Sequence, residues 1–274
     1  MIKTYIKNGY FNDLKKKIYN DLSDGFQFRF SYNLGTSIIS NAAALLILEL
    51  TSNIDDLGVK RKKKLLDLIL NLQDKKTGLF FDPSFKMADT TGSHKKDYIN
   101  YQFTFFALNA LDVLEVKCKY NLVFMKDFLG YNGLKNITVF FKSRNWSNFW
   151  YESNNFMFIL FFLSYLEKYE FVSKDDLNLN YWFDLLDKYQ DKTTGFWGTD
   201  KGSSLYNGLA GTSHLIPFYS FWKRKINFIE RIIDNTLIFQ DKDGFFSVPN
   251  TKGGGACEDL NAVLVLSLLT RVTV

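Results

Sequence analysis

Leu72-Gln73-Asp74-Lys75-Lys76-Thr77-Gly78-Leu79-Phe80 is a segment that recurs twice further along the chain. The second copy is Tyr189-Gln190-Asp191-Lys192-Thr193-Thr194-Gly195-Phe196-Trp197, and the third is Phe239-Gln240-Asp241-Lys242-Asp243-Gly244-Phe245-Phe246. Each copy has an apolar residue, then Gln-Asp-Lys, then a glycine, and an aromatic residue two positions after the glycine. Three copies of one pattern indicate an internal structural repeat.

Each copy of this motif follows a segment with apolar residues at three- and four-residue spacing, which predicts amphipathic helices over 62–72, 177–189 and 227–239. The glycine then ends the helix, because it accepts the left-handed backbone conformation common at helix ends. A second, more apolar helix follows a loop, over 97–116, 211–223 and 256–269. Less regular pairs are predicted at 10–22 with 36–50, and at 134–141 with 150–169.

The five helix pairs share one polarity pattern, with an amphipathic first helix and a second helix that is apolar on most of its surface. This pattern is typical of second helices surrounded by first helices. We therefore predict an all-α protein with one domain over 1–274. The predicted architecture is an (α/α) toroid or incomplete toroid of about five to six helical hairpins, and an open curved array is the alternative.

Composition restricts the class of protein. Of the 274 residues, 46% are hydrophobic and 23% are charged, as in an ordered globular protein. The net charge is +5, and much of the positive charge lies in short Lys/Arg runs that we interpret as solvated helix faces. No nucleic-acid-binding motif accompanies these runs. Two cysteines are compatible with a reducing compartment, and the longest apolar run, 156–163, is too short to span a bilayer. We predict a cytoplasmic protein with no membrane span and no nucleic-acid partner.

Candidate catalytic residues occupy equivalent places in the repeats. Shortly after a glycine, at the predicted start of each second helix, lie His94, His214 and the run Cys257-Glu258-Asp259. The chain has two histidines, and both occur at these places. Helix starts carry unpaired N–H groups that favour anions. We predict that these residues face one shared cavity, with His94, His214, Glu258 and Asp259 as catalytic residues; ordinary helix capping is the alternative.

Further residues near the second-helix starts are predicted to contact the substrate. They are polar or aromatic side chains: Asp97, Tyr98, Trp150, Glu152, Tyr219 and Cys257.

The repeated motif follows an amphipathic helix and reads Gln, three or four residues, Gly, any residue and an aromatic residue. It resembles the repeat shared by terpene cyclases and protein prenyltransferase β subunits. The resemblance implies an (α/α) toroid and an enzyme that acts on an isoprenoid or related substrate. The Asp-x-Asp-Asp acid motif of the protonating cyclases does not occur here. Prenyltransferases bind zinc through Asp, Cys and His, which suggests His214, Cys257 and Asp259 as an alternative zinc set, although Cys257 precedes Asp259 here.

Two other functions fit the same residues. A glycan-active toroid, of the glycoside hydrolase or lyase type, would need an opposed acid and base. Glu258 and Asp259 diverge by about 100° on a helix, so the opposing group would be Asp97, Glu152 or His94. A non-catalytic binding or scaffold toroid would also need convergent polar groups. We expect a small-molecule or glycan substrate and a monomer or homodimer, and the sequence names no cofactor.

Overall fold

The computed structural model of the chain describes residues 22–23, 27–29, 35–51, 54–85, 96–248 and 255–272. These residues are predominantly helical, which confirms the predicted all-α class. Their extended structure includes a two-residue strand pair, β1 (Leu22–Ser23) antiparallel to β2 (Gln27–Phe28). The first helix predicted over 10–22 lies outside the described part of the chain, except for its last residue. That residue, Leu22, belongs to β1.

The described residues contain nine α-helices. Their bounds are α1 (Ile38–Leu50), α2 (Gly58–Asn71), α3 (Lys96–Val113), α4 (Gly130–Lys142), α5 (Phe149–Lys168), α6 (Leu179–Lys188), α7 (Leu205–Phe221), α8 (Ile229–Leu237) and α9 (Ala256–Val272). Short 3-10 turns precede or join several of them, at Ile54–Leu57, Val123–Phe128, Trp146–Asn148, Lys174–Leu177 and Thr199–Lys201. The even-numbered helices are the predicted first helices, and the odd-numbered helices are the predicted second helices.

The chain divides into two compact units, an N-terminal unit (Met1–Phe124) and a C-terminal unit (Met125–Val274). In the N-terminal unit, α1 and α2 both pack against α3. The Ser37 side chain caps α1 by accepting a hydrogen bond from the Ser40 N–H. The strand β2 is anchored to α1 because Phe28 N–H donates to Asn41 Oδ1 at 2.9 Å. The single domain over 1–274 stays a prediction.

The C-terminal unit contains a layer of second helices. Helix α5 packs against α7, and α7 packs against α9. Among the first helices, α4 contacts α6 and α8 contacts α9. The core is rich in aromatic rings: Trp146 stacks on Tyr189 with centroids 4.1 Å apart and on Phe149 at 5.1 Å. Second helices therefore lie side by side in this unit, as their apolar surfaces predict.

The three sequence motifs fold into one recurring turn. Isolated β-bridges join Gln73 to Phe80, Gln190 to Trp197 and Gln240 to Phe246. In each turn the glutamine Nε2 donates to the carbonyl oxygen of the motif glycine, at 3.0 Å for Gly78, 2.8 Å for Gly195 and 3.2 Å for Gly244. The three glycines have φ values of 81°, 77° and 91°, a region that favours glycine. The predicted repeat is thus a structural repeat.

Helix α7 begins at Leu205 rather than at residue 211, which corrects the predicted start of this second helix. Ser204 caps it by accepting the N–H of Asn207 at 3.1 Å. Gly211, the predicted first residue, lies inside the helix. A methyl group on Gly211 would overlap the Phe149 ring, so glycine there permits close packing of α7 on α5.

None of the helices in the described ranges is both long and apolar enough to cross a membrane.

Candidate functional site

Three of the predicted site residues belong to the segment around the start of α3. His94 lies outside the described residues. Asp97 and Tyr98 lie in the first turn of α3, in the N-terminal unit, where Asp97 is exposed and Tyr98 is half-buried. Burial raises the pKa of Tyr98. The cavity that we predict these residues to share with His214 stays a prediction.

His214 is largely buried in the middle of α7, and not at a helix start as the sequence suggested. Its Nδ1 atom lies 2.8 Å from the Ser153 hydroxyl of α5. The sequence predicts that α7 begins at Gly211, and its earlier start at Leu205 moves His214 into the third turn. His214 is therefore held by the contact between two second helices, and a capping role does not apply to it.

The hydrogen bonds of Ser153 define the tautomer of His214. The Ser153 hydroxyl donates to the Trp150 carbonyl oxygen at 2.8 Å. A hydroxyl has one hydrogen, so both hydrogen bonds form when Nδ1–H of His214 donates to Ser153 Oγ. Nε2 then carries the free lone pair. No described residue makes a hydrogen bond to Nε2, which leaves this atom as an acceptor for a ligand.

Burial lowers the pKa of His214 to about 4. The charged imidazolium is disfavoured because the surrounding helices replace water. At neutral pH the ring is consequently uncharged, in agreement with the single proton at Nδ1. A neutral histidine with a free Nε2 can accept a hydrogen bond or take up a proton.

Two further contacts join α7 to α9. Ser213, which is buried, donates from Oγ to Asn261 Oδ1 at 2.9 Å. Near the start of α7, the Tyr206 hydroxyl lies beside the Glu258 carboxylate. Burial, and then the negative charge of Glu258, raise the pKa of Tyr206 to about 12. Polar side chains thus cross the second-helix layer from α5 through α7 to α9.

Pro217 lies inside α7. Proline has no N–H, so the carbonyl group of Ser213 lacks its usual helical donor four residues later. This carbonyl group adjoins His214 in the chain. The Ser213 carbonyl oxygen is thus a hydrogen-bond acceptor close to His214, in addition to Nε2 of the histidine itself.

The run Cys257-Glu258-Asp259 forms the first turn of α9, as predicted. Cys257 is exposed, and Glu258 is half-buried beside Tyr206. Asp259 Oδ1 accepts the N–H of Phe246 at 2.8 Å, which fastens the third motif turn to α9. Thr104 Oγ1 does the same for the first turn by accepting the N–H of Phe80 at 3.0 Å. One carboxylate oxygen of Asp259 therefore has a structural partner, and its catalytic role stays a prediction.

The alternative zinc set of His214, Cys257 and Asp259 is not assembled. Across the described ranges, no group of three His, Cys, Asp or Glu side chains is arranged to hold a metal ion. Zinc sites need three or four such donors at one point. His214 lies in the third turn of α7, whereas Cys257 and Asp259 lie in the first turn of α9.

Trp150 and Glu152 lie in the first turn of α5. The Trp150 side chain is 41% exposed, and its ring makes an edge contact with the Tyr206 ring at 5.7 Å. Glu152 Oε2 pairs with Arg144 Nη1 at 3.3 Å and accepts from Asn155 Nδ2 at 3.2 Å. Trp150 is thus open to a ligand, whereas Glu152 already has a cation and an amide as partners.

Tyr219, which we predicted to contact substrate, is fully buried. Its hydroxyl donates to Asp187 Oδ1 of α6 at 2.7 Å. Burial raises the pKa values of both Asp187 and Tyr219. This pair joins a second helix to a first helix. Tyr219 has no surface to offer a ligand, and this corrects its predicted role.

Sequence reasoning missed Ser153, Tyr206, Ser213 and Asn261. Ser213 and Asn261 are small polar residues inside otherwise apolar helices, and such residues are commonly hydrogen-bonded to one another when buried. That signal was present in Thr212-Ser213-His214 and in Leu260-Asn261-Ala262. The pairing itself was not readable, because the partners are far apart in the chain.

Large apolar residues are exposed on two of the second helices. Phe221 of α7, seven residues after His214 and so on the same helix face, is exposed. On α9, Leu260 and Val263 are exposed and three residues apart. Exposed large apolar residues on neighbouring helices are typical of surfaces that bind apolar ligands or partners.

A separate pocket of about 450 Å³ opens elsewhere in the C-terminal unit. Its lining includes Lys174, Asn178, Phe183, Trp222 and Arg224. None of the predicted catalytic residues lines it. Its two cations already have partners, because Lys174 pairs with Glu167 at 3.2 Å and Arg224 pairs with Asp184 at 3.3 Å.

Comparison with protein-family models, with curated proteins and with solved structures finds no match for this chain.

Proposed function

We propose that the chain is an enzyme that acts on an isoprenoid or related apolar substrate, with His214 as the proton acceptor. In this proposal the helix pairs form an (α/α) toroid or incomplete toroid like that of the terpene cyclases and prenyltransferase β subunits. The side-by-side second helices in each unit and the recurring Gln-Gly-aromatic turn support that relationship. Fold alone does not define an activity, so the site carries the functional argument.

The observation that carries the proposal is the state of His214. The ring is neutral, its Nδ1–H is engaged by Ser153, and no described residue hydrogen-bonds to Nε2. A histidine with a pKa near 4 is a weak base, so it suits substrates whose proton is strongly acidic. The C–H bonds next to a carbocation are of this kind, and isoprenoid chemistry commonly passes through carbocations.

Exposed apolar and aromatic residues on the second helices support an isoprenoid rather than a strongly hydrated substrate. Trp150 and Phe221 expose large rings on the second-helix layer, and Leu260 and Val263 add aliphatic surface on α9. Burying hydrocarbon against such a surface is favourable by ~25 cal/mol per Å². Aromatic faces also stabilise cations. The glycan alternative is weaker, because Glu152 already pairs with Arg144.

Ligand binding and product analysis test this proposal together. Geranyl, farnesyl and geranylgeranyl diphosphates, and the corresponding alcohols, are added to the full chain and the melting temperature is recorded. We expect stabilisation by at least one isoprenoid, and a new hydrocarbon or alcohol by gas chromatography with mass spectrometry. His214→Gln should bind the same ligand and lose the product.

The matched control for this experiment is Ser267→Ala, an exposed position on α9 that should leave both readouts unchanged. If no isoprenoid shifts the melting temperature, the proposal is wrong. Stabilisation by acidic oligosaccharides instead would favour the glycan-active alternative. Binding without turnover in the wild type would favour the non-catalytic binding alternative.

A further inference from the structure

The first motif turn is covered by the segment that begins the next repeat. Gln73 Nε2 donates to the Tyr120 carbonyl oxygen at 2.7 Å, and Tyr120 N–H donates back to Gln73 Oε1 at 2.8 Å. A methyl group on Gly78 would overlap the Asn121 carbonyl oxygen. The backbone of this segment thus lies directly on the glycine of the turn.

The second turn is also covered by the segment that begins the next repeat. Gln190 Nε2 donates to the Asn227 carbonyl oxygen at 2.9 Å, although no described N–H donates to Gln190 Oε1. A methyl group on Gly195 would lie 2.7 Å from Ile232 Cγ1 and 3.0 Å from the Phe228 carbonyl oxygen. Asn235 Nδ2 of α8 also donates to the Thr194 carbonyl oxygen at 3.1 Å. Each of these two turns therefore forms one side of an interface between consecutive repeats, and the start of the next repeat forms the other side.

The third turn is one residue shorter and keeps the hydrogen bond from its glutamine to its glycine, but it lacks this cover. Gln240 is exposed, and its side chain makes no hydrogen bond to any described segment beyond its own turn. A methyl group on Gly244 would meet no atom within 4 Å. Phe245 is 58% exposed, whereas at this position in the other turns Phe196 is buried and Leu79 is half-buried.

Apolar residues surround this open turn. Leu237 and Ile238, directly before the motif, are 44% and 60% exposed. The residues equivalent to Ile238 in the other two copies are the polar Asn71 and Lys188. We call Leu237, Ile238, Gln240, Gly244 and Phe245 the Gln240 surface.

We propose that the Gln240 surface is a docking site for a peptide segment of a partner protein. The surface continues the repeat-to-repeat interface that the chain builds twice, so the occupants of the first two turns define the chemistry. The partner segment supplies a backbone carbonyl group to Gln240 Nε2, as both internal occupants do for their glutamines, and a backbone N–H to Gln240 Oε1, as Tyr120 does for Gln73. Its backbone passes over Gly244, and an apolar side chain covers Phe245.

The two internal occupants also indicate a sequence preference. Aligned on the carbonyl group that each glutamine binds, they read Tyr120-Asn121-Leu122 and Asn227-Phe228-Ile229. Both place a large aliphatic residue two positions after the bound carbonyl group. A partner segment with Leu or Ile at this position fits the surface. A side-chain amide that pairs with both the carbonyl group and the N–H of one residue, as Gln73 does with Tyr120, binds the peptide backbone.

Peptides taken from the chain itself test the proposal. A fluorescent peptide of residues 119–126 is titrated with the full chain, and anisotropy is recorded. We expect saturable binding. Gln240→Ala should weaken it about fivefold, since one net hydrogen bond is worth ~1 kcal/mol. Phe245→Ser should weaken it further, because the variant removes the aromatic contact.

Two controls accompany this titration. Lys242→Ala changes an exposed residue of the same turn and should bind the peptide like the wild type. A peptide of the same composition in scrambled order should not bind. Absence of binding by residues 119–126, or equal binding by Gln240→Ala, Phe245→Ser and the wild type, would overturn the proposal.

Other occupants give different results. A concentration-dependent dimer in sedimentation velocity that Gln240→Ala abolishes would assign the surface to a second copy of this chain. Peptide binding that appears only after removal of residues 1–21 would assign it to that segment. Either result would overturn the assignment to a partner protein. None of these outcomes depends on the proposed enzymatic activity.

Discussion

Ser153 and His214 form a hydrogen bond between two neighbouring second helices, with Oγ and Nδ1 2.8 Å apart. The residues come from different helix pairs, and each is polar in a mostly apolar helix. The bond does two things at once: it joins α5 to α7, and it leaves Nε2 as the acceptor atom of His214.

Removing this bond should lower stability. In Ser153→Ala, the buried Nδ1–H of His214 loses its acceptor, and we expect a loss of ~1–2 kcal/mol in the free energy of unfolding. Urea unfolding followed by circular dichroism measures the change. Ser267→Ala, whose hydroxyl is exposed on α9, is the control and should change stability by less than ~0.5 kcal/mol. Equal effects in the two variants would contradict the prediction.

The buried histidine should make the protein less stable in acid. The unfolded chain takes up a proton at His214 below its ordinary pKa of 6.5, but the folded protein does so only near pH 4. Stability contributed by neutral His214 is therefore present above pH 6.5 and is lost as the pH falls towards 4. The loss approaches ~3 kcal/mol.

His214→Gln isolates this effect, because the variant cannot titrate at position 214. Its unfolding free energy should fall less than that of the wild type between about pH 7 and about pH 4.5. Urea titrations at both pH values give the comparison. Parallel pH profiles for the two proteins would show that His214 is not buried as a neutral base.

Tyr219→Phe should destabilise the interface between α6 and α7. The substitution removes the hydroxyl that donates to Asp187 at 2.7 Å and leaves a half-buried carboxyl group with one donor fewer. We expect a cost of ~1.5–3 kcal/mol, since the acceptor is charged. Tyr131→Phe at a position 87% exposed is the control, with no measurable change expected. Unchanged stability in Tyr219→Phe would contradict the buried pair.

The motif glutamines should differ in their contribution to stability, although they share one sequence pattern. Gln190 is buried and donates to two carbonyl groups, so Gln190→Ala should cost ~2–3 kcal/mol. Gln240 is exposed, and Gln240→Ala should cost less than ~0.5 kcal/mol. Thermal and urea unfolding provide the measurements. A large effect of Gln240→Ala on the isolated chain would mean that its turn is covered within the protein.

Gly211 should tolerate no side chain. Alanine in a helix is normally more favourable than glycine by ~1 kcal/mol. At position 211 the added methyl group would overlap the Phe149 ring, so Gly211→Ala should instead cost ~1–3 kcal/mol. Gly35→Ala, where an added methyl group meets nothing within 4 Å, is the control. A stabilised Gly211→Ala variant would show that α5 and α7 are more loosely packed.

The sequence by itself determined the helix pairs and the recurring turn. The observed bounds of α2, α6 and α8 lie within a few residues of the predicted first helices. The turn around Gln73 is equally local, because its hydrogen bond joins residues five positions apart. Such features depend on periodicity and on nearby backbone groups, and both are present in a short stretch of sequence.

Only the tertiary structure decided how the polar residues combine. His214 was identified from its place in the repeat, but Ser153 is 61 residues away, and packing of α5 on α7 brings the two together. The predicted start of α7 at Gly211 is wrong, because in the fold this glycine lies inside the helix and makes room for the Phe149 ring. Contacts between distant segments depend on which helix faces pack against each other, and a local sequence pattern does not contain this information.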